Sequence, residues 1–348
     1  MRNDVTRVID AEAVAAIVSK VGLDHLYDMA IDRLMAVMTD SVQGLVELRE
    51  RDGFVLTTPH RGLVEWMPAL RHGSTVAVKM VSYHPHNPAK YLQPTILSTL
   101  YGFDAASGHL RAIVDATFAT AIRTGAASAI ASRLLADPSS SVLGLVGCGA
   151  QAVTQLHALD RVFDFDRVLV SDVETEAENG FAARARGAGA RVEVVSLREL
   201  EDRADLICTA TSVAVGEGPV LADAAAGHVN AVGSDMPGKI ELPISLLRKR
   251  VVCPDHRGQA SREGECQQLV DGEIGPSVLD MIARPELAAG LRDRPTVYDS
   301  TGLAVQDLAM IELFEELASE CGVGVDIAIE SNSGDPRDPY AFLAGSQV

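Results

Sequence analysis

The segment S-V-L-G-L-V-G-C-G-A-Q-A-V at 141–153 constrains this chain more than any other. An apolar run of strand length meets a glycine turn and passes directly into a helical pattern. Gly147 suits the tight turn, Gly149 lets the backbone approach a pyrophosphate, and Ala152 takes the position where the helix packs on the sheet. A helix that starts here offers free N–H groups and a favourable dipole to phosphate. Asp172 closes the next apolar run, 23 residues beyond Gly149. An acid in that place either accepts hydrogen bonds from an adenine ribose and repels a 2′-phosphate, favouring NAD over NADP, or ends a strand in solvent.

The surrounding pattern supplies the fold class. Apolar runs at 167, 191, 205, 228 and 250 alternate with helical stretches, which predicts a parallel, doubly wound sheet. Upstream, residues 8–48 read as helical, and 53–115 break into short β-like runs separated by turn signals, an antiparallel sheet. An Ala-rich helix from 117 ends at Asp137-Pro138, and an amphipathic helix over 303–321 folds back on the first unit. The expected architecture is α/β: a Rossmann-type dinucleotide domain over 122–302, and a discontinuous α+β substrate and dimerisation domain from 1–121 and 303–348.

With 30 basic and 48 acidic residues, the net charge of −18 argues against nucleic acid, which needs a clustered basic surface. No run reaches the ~18 apolar residues of a membrane span. The N-terminus lacks the apolar core of a signal peptide, and the five cysteines are scattered without a C-x-x-C pair. Free thiols in a soluble, cytoplasmic protein are expected, with no metal site.

Only five of the 30 basic residues are lysines, so their placement is informative. Lys79 sits in V-A-V-K-M-V, where an ammonium needs either a partner or an edge position with its head in water. Arg123 interrupts the Ala-rich helix, facing either solvent or a buried anion. Asp235, in A-V-G-S-D-M-P-G-K, follows a strand at the carboxyl end, where ligands of open α/β sheets bind. It is either a general acid/base or a turn-forming Asp before Pro-Gly.

Taken together, these segments resemble the ornithine cyclodeaminase/μ-crystallin family over nearly the whole chain. The likeness is carried by E-W-M-P at 65, V-K-M-V at 78, N-P…P-T at 87–95, R-T-G-A-A-S-A at 123, G-C-G-A-Q-A at 147, N-A-V-G-S-D-M-P-G-K at 230, E-G-E-C-Q-Q-L at 263 and D-S-T-G at 299. Within the family, E-W-M-P, T-A-T-S-V-A-V-G-E-G-P-V and the closing G-D-P-R-D-P-Y are most similar to the bacterial lysine cyclodeaminases.

The resemblance implies roles. Arg51, Lys79 and Arg123 match the cations that hold a substrate carboxylate; Arg61 lies nearby, but the spacing favours Arg51. Glu65 matches a substrate contact able to receive a distal ammonium. Asp235 matches the acid/base group, and Thr95, Thr301 and Gly302 line the site. NAD contacts are implied for Gly147, Gly149, Ala150, Gln151, Asp172, Thr211, Ser234 and Lys239. The chain departs from the family at Leu92-Gln93, Asp115-Ala116 and Gln306, where the family often has Gly-Leu, Asp-Gly and Glu. The implied activity converts L-lysine or L-ornithine to L-pipecolate or L-proline plus ammonia. It runs through an imino intermediate with the hydride returned internally, in a homodimer. An imine reductase, an amino-acid or opine-type dehydrogenase, and a non-catalytic crystallin-like protein share much of the pattern. Asp235 favours an enzyme.

Overall fold

The computed structural model describes residues 5–185 and 191–330, together with Asp335, Arg337, Asp338 and Tyr340. Of the G-D-P-R-D-P-Y segment, Gly334, Pro336 and Pro339 lie outside the described residues.

The chain builds two sheets. The first takes β1 (Thr6–Ile9), β2 (Val46–Leu48), β3 (Asp52–Leu56), β4 (Gly62–Arg71), β5 (Thr75–Tyr83), β6 (Ile96–Asp104) and β7 (Leu110–Asp115). The second takes β8 (Val142–Val146), β9 (Arg167–Ser171), β10 (Arg191–Val194), β11 (Leu206–Thr209), β12 (His228–Ala231), β13 (Val251–Pro254) and β14 (Thr296–Asp299). The last strand, β15 (Val325–Ile327), returns to the first sheet beside β1. Helices α1 (Ala11–Val21), α2 (Leu23–Val42), α3 (Asn87–Tyr91) and α4 (Thr117–Leu135) precede the second sheet. Helices α5 (Ala150–Asp160), α6 (Thr175–Arg184), α7 (Leu197–Arg203), α8 (Ile244–Leu247), α9 (Arg257–Glu263), α10 (Val278–Ala283) and α11 (Pro285–Ala289) are interleaved with its strands. Helix α12 (Ala304–Cys321) follows them.

The second sheet is parallel throughout, in the order β10-β9-β8-β11-β12-β14-β13. Its apolar strands are buried on both faces, one against the core around Leu200, Val229 and Leu246, the other against Leu156, Phe163 and Phe181. The direction of chain progress reverses between β8 and β11, and the turn after β8 opens at that switch point, where nucleotides bind in such sheets.

The first sheet runs β15-β1-β7-β6-β5-β4-β2, with β3 extending the outer edge of β4. Three expectations change here. Both ends of the 8–48 stretch read as helical are strands, within β1 (Thr6–Ile9) and β2 (Val46–Leu48), and β1 lies parallel to β7 in an otherwise antiparallel sheet. Residues 296–299 form a strand between β12 and β13 that the sequence pattern did not reveal. The third concerns α12, which is not amphipathic in its first half: every residue from Ala304 to Ile311 is buried, packed among α2, α4 and the β4–β5 pair.

Helix α4 is continuous across residues 121 and 122 and touches both halves, packing on α2 and α12 as well as on α5 and β12. Four cysteines are buried, Cys321 is half-buried, and all five are free. Among the described residues no helix is long and apolar enough to cross a membrane.

Candidate active site

The pleat of the first sheet assembles one wall of a pocket. In the β4–β5 register, Leu63 faces Tyr83, Glu65 faces Val81 and Met67 faces Lys79. Alternate residues of a strand share a face, so all six side chains point the same way. All six line one pocket, together with Arg51, Ile96, Thr120, Arg123, Asp235, Met236 and Thr301. The opposite wall comes from the carboxyl ends of β12 and β14, which are neighbours in register (Ala231 beside Asp299) and are followed by Asp235 and Thr301.

One corner of this pocket is cationic and buried. Lys79 is fully buried and Arg123 is 7% exposed, so the solvent-facing alternatives for both are excluded. Their shared partner is Asp307 in the first half of α12, whose Oδ1 lies 2.9 Å from Lys79 Nζ and 3.5 Å from Arg123 Nε. Arg123 Nη1 also donates to Gln306 Oε1 at 2.6 Å. Burial, aided by the Arg123 charge and opposed by Asp307, pushes the Lys79 ammonium down to about 7. Burial likewise lowers the Arg123 pKa, against the pull of Asp307.

Arg51 stands beside this corner but carries its own partners. Its Nε lies 3.1 Å from Glu263 Oε1 and its Nη1 3.4 Å from Glu65 Oε2, while Nη2 donates to the carbonyls of Thr301 and Gly302. Arg61 is exposed and lies outside the pocket lining. Glu263 was not foreseen from the sequence. Burial, with the Glu65 charge adding to it and Arg51 opposing, pushes its carboxyl up to about 7. Burial also raises Glu65, against Arg51.

The turn carrying Thr301 and Gly302 is fixed from below. Asp255 accepts from Thr301 N (2.8 Å), Thr301 Oγ1 (2.9 Å) and Gly302 N (2.7 Å), and Gln259 Nε2 donates to Thr301 Oγ1 and the Gly302 carbonyl. Gly302 has φ +83°, and a Cβ there would lie 2.6 Å from Arg123 Nη1, so only glycine allows both the turn and the arginine. Thr95 is half-buried beside the lining residue Ile96, and its carbonyl accepts from His84 N.

Asp235 is half-exposed in the pocket and pairs with Lys239 at 3.1 Å. Lys239 lies 5.7 Å from the centre of the Tyr83 ring. Burial works against its charge, but Asp235, Tyr83 and Glu241 outweigh it and raise its pKa. The lysine is thus placed on the pocket's acid. Ser234 is buried, with its hydroxyl committed to the Lys239 carbonyl at 2.6 Å.

The dinucleotide turn has the features a bound pyrophosphate requires. Gly147 has φ +90°, and a Cβ there would meet the Ala210 carbonyl at 2.8 Å and Thr211 Cγ2 at 3.1 Å. Gly149 caps α5 without any side-chain bond, and the space around its missing Cβ is open. The first-turn N–H groups, including those of Ala150 and Gln151, therefore lack a competing side-chain cap. Thr211 donates its hydroxyl to Glu241 Oε1 at 2.7 Å, flanking the turn. Asp172 accepts from Cys148 N at 2.5 Å and Glu174 N at 2.9 Å, which fixes its carboxylate at the strand end.

Comparison with known proteins agrees with this arrangement. The model of the ornithine cyclodeaminase/mu-crystallin family matches residues 11–322. The chain is 42% identical to an L-lysine cyclodeaminase of Streptomyces rapamycinicus, over 97% of this chain and 99% of the relative. It is 38% identical to an alanine dehydrogenase of Archaeoglobus fulgidus, over 77% and 84% of the two chains. Among solved structures, one of lysine cyclodeaminase, described as a basis for recognising L-lysine, L-ornithine and L-2,4-diaminobutyric acid, superposes with a TM-score of 0.94. It is 46% identical and covers 97% of this chain and 99% of its own. With this pocket and this turn in place, the chain belongs to the ornithine cyclodeaminase/mu-crystallin family.

Proposed function

We propose that this protein is an NAD-dependent cyclodeaminase that converts L-lysine, and with one methylene fewer L-ornithine, to the cyclic imino acid and ammonia. One observation carries the reading. The pocket has a buried cationic corner, Lys79 with Arg123, and carboxylates at Glu65 and Asp235, as an amino acid with a second amine requires. The near full-length likeness to a lysine cyclodeaminase supports the same substrate class.

Bound at the β8–α5 turn, the dinucleotide supplies a hydride acceptor for Cα–H and a hydride donor for a carbon–nitrogen double bond. Gly147, Gly149, Ala150 and Gln151 would hold its phosphates and Asp172 its ribose. Lys79 and Arg123 fix the α-carboxylate, which sets the direction of Cα–H. Glu65 receives the distal ammonium. Asp235, half-exposed and steadied by Lys239, takes a proton from that ammonium so that the amine can attack the α-imine carbon. It then delivers the proton to the departing α-nitrogen. L-Lysine thereby loses one NH3, with no net oxidation. One methylene separates the two diamines and is worth only ~1–3 kcal/mol in a pocket, so both are accepted.

A homodimer in a reducing cytoplasm completes the reading. Phe54 and Val55 are 64% and 72% exposed on opposite faces of β3, at the edge of the first sheet, so the edge itself is the apolar feature suited to a second copy. The test is incubation with L-lysine or L-ornithine and catalytic NAD+, with product analysis and light scattering. Pipecolate or proline with ammonia supports the reading; a linear keto acid with stoichiometric NADH refutes it in favour of a dehydrogenase.

A further inference from the structure

Helix α4 carries hydroxyls at four-residue spacing, among them Thr120, Thr124 and Ser128. Thr124 and Ser128 bond back along the helix: Thr124 Oγ1 donates to the Thr120 carbonyl at 2.8 Å, and Ser128 Oγ to the Thr124 carbonyl at 3.4 Å. Thr120 turns away from this pattern. Its Oγ1 lies 2.9 Å from Ser98 Oγ of β6, and both residues are more than nine-tenths buried. Two hydroxyls bring two protons, and the bond between them uses one. Among the described residues neither side chain has another acceptor. If Thr120 donated to Ser98, the spare proton would lie on Ser98, buried and unmet, which is costly. If Ser98 donates, the spare proton lies on Thr120, which is part of the pocket wall.

Both cations of the buried corner neighbour that hydroxyl in the fold. Thr120 stands one helical turn before Arg123, and both line the pocket. Ser98 faces Val81 across the β5–β6 pair, and Val81 follows Lys79 on the same face of β5. A spare O–H needs a lone pair to meet. Of the two polar groups on Cα, an ammonium has none and a carboxylate has several. We propose that Thr120 is a substrate-binding residue whose hydroxyl donates to the α-carboxylate beside Lys79 and Arg123, with Ser98 as the positioning residue that turns its proton into the pocket.

This assignment deepens the amino-acid reading above and rests on it, but not on turnover. NAD-loaded wild type, T120V, T120S, S98A and S98A/T120V are titrated calorimetrically with L-lysine, L-ornithine, 6-aminohexanoate, which lacks the α-amine, and L-lysinamide, which lacks the carboxylate. T120V should weaken L-lysine about ten-fold or more, as loss of a hydrogen bond to a charged group does. It should weaken 6-aminohexanoate alike and L-lysinamide less. T120S keeps the hydroxyl and should stay within about three-fold of wild type, with S98A between T120S and T120V. Because Ser98 acts only through Thr120, S98A/T120V should bind within about two-fold of T120V. T120A stands in if T120V fails to load NAD. L-Lysine affinity unchanged in T120V, a loss as large in T120S, an equal or greater loss for L-lysinamide, or additive losses in the double variant overturns the proposal. A loss with L-lysine that 6-aminohexanoate escapes also overturns it, placing the hydroxyl on the α-nitrogen. Wild type that binds an amino acid but releases no ammonia refutes the cyclodeaminase reading while leaving this order decidable. Wild type that binds none of them overturns both.

Discussion

Replacing Asp307 by Asn removes the one anion shared by two buried cations, and its cost should depend on pH in a defined direction. At an effective dielectric of 20, the 2.9 and 3.5 Å separations correspond to about 6 and about 5 kcal/mol of attraction. Desolvation of the three groups offsets much of this, and breaking a buried pair costs about 3–5 kcal/mol in practice. Lys79 has an escape, because its proton is already held weakly, at about 7. Below that pH the wild-type lysine is charged in both the folded and unfolded chain, so it gives no slope of stability with pH. In Asp307→Asn its folded pKa falls further. The folded variant then lacks a proton that the unfolded chain keeps, and its stability climbs with pH up to the wild-type value. The deficit should be larger near pH 5.5 than near pH 8, by about 1.4 kcal/mol for each unit of further depression within that window. Urea melts at the two pH values measure it. A deficit under about 1 kcal/mol, or one that grows with pH, would refute a shared buried counter-ion.

Three further outcomes follow from local geometry. Gly302→Ala places a Cβ against the Arg123 guanidinium at positive φ, so amino-acid affinity should fall at least about ten-fold while NAD binding, by fluorescence titration, is retained; an unchanged KM contradicts the packing. Asp172→Ser removes the carboxylate at the end of β9 and should bring NADP+ affinity close to that of NAD+; continued rejection of NADP+ would take the ribose role from Asp172. Leu92 is 94% exposed at φ 54°, a conformation that costs a non-glycine residue about 1–2 kcal/mol, so Leu92→Gly should raise stability by up to about 1 kcal/mol after the entropic cost of glycine. A lowered denaturation midpoint would contradict that strain.

The nucleotide half was legible because its signal is local: β8, the glycine turn and α5 are consecutive in sequence, and Asp172 closes the next strand. β1, β14 and β15 were hidden for the opposite reason. They are three or four residues long, too short for a period, and they exist only through distant partners; Arg7 pairs with Ala112 and Asp326. The cations of the site could be read as exceptions in apolar segments, whereas their counter-ions could not. Asp307 and Glu263 look like ordinary acids on helices until α12 and α9 are placed in the fold. One signal was present for Asp307. It sits in L-A-V-Q-D-L-A-M-I, a stretch apolar on nearly every side, and such a helix is buried all round, so a charge within it must have a partner. The assignment of Arg51 to the substrate was implied by the family resemblance, with spacing preferring it to Arg61, and the fold adds the two carboxylates and two carbonyls that already hold it.

The central claim is that one site takes hydrogen from Cα and gives it back to the same carbon after ring closure. L-Lysine carrying deuterium at Cα, turned over with NAD+ far below stoichiometry, tests this in a single mass measurement of the product. The account predicts pipecolate that retains the deuterium, with ammonia released in equal amount. Pipecolate without the label, or no cyclic product beyond the quantity of NAD+ supplied, would contradict it.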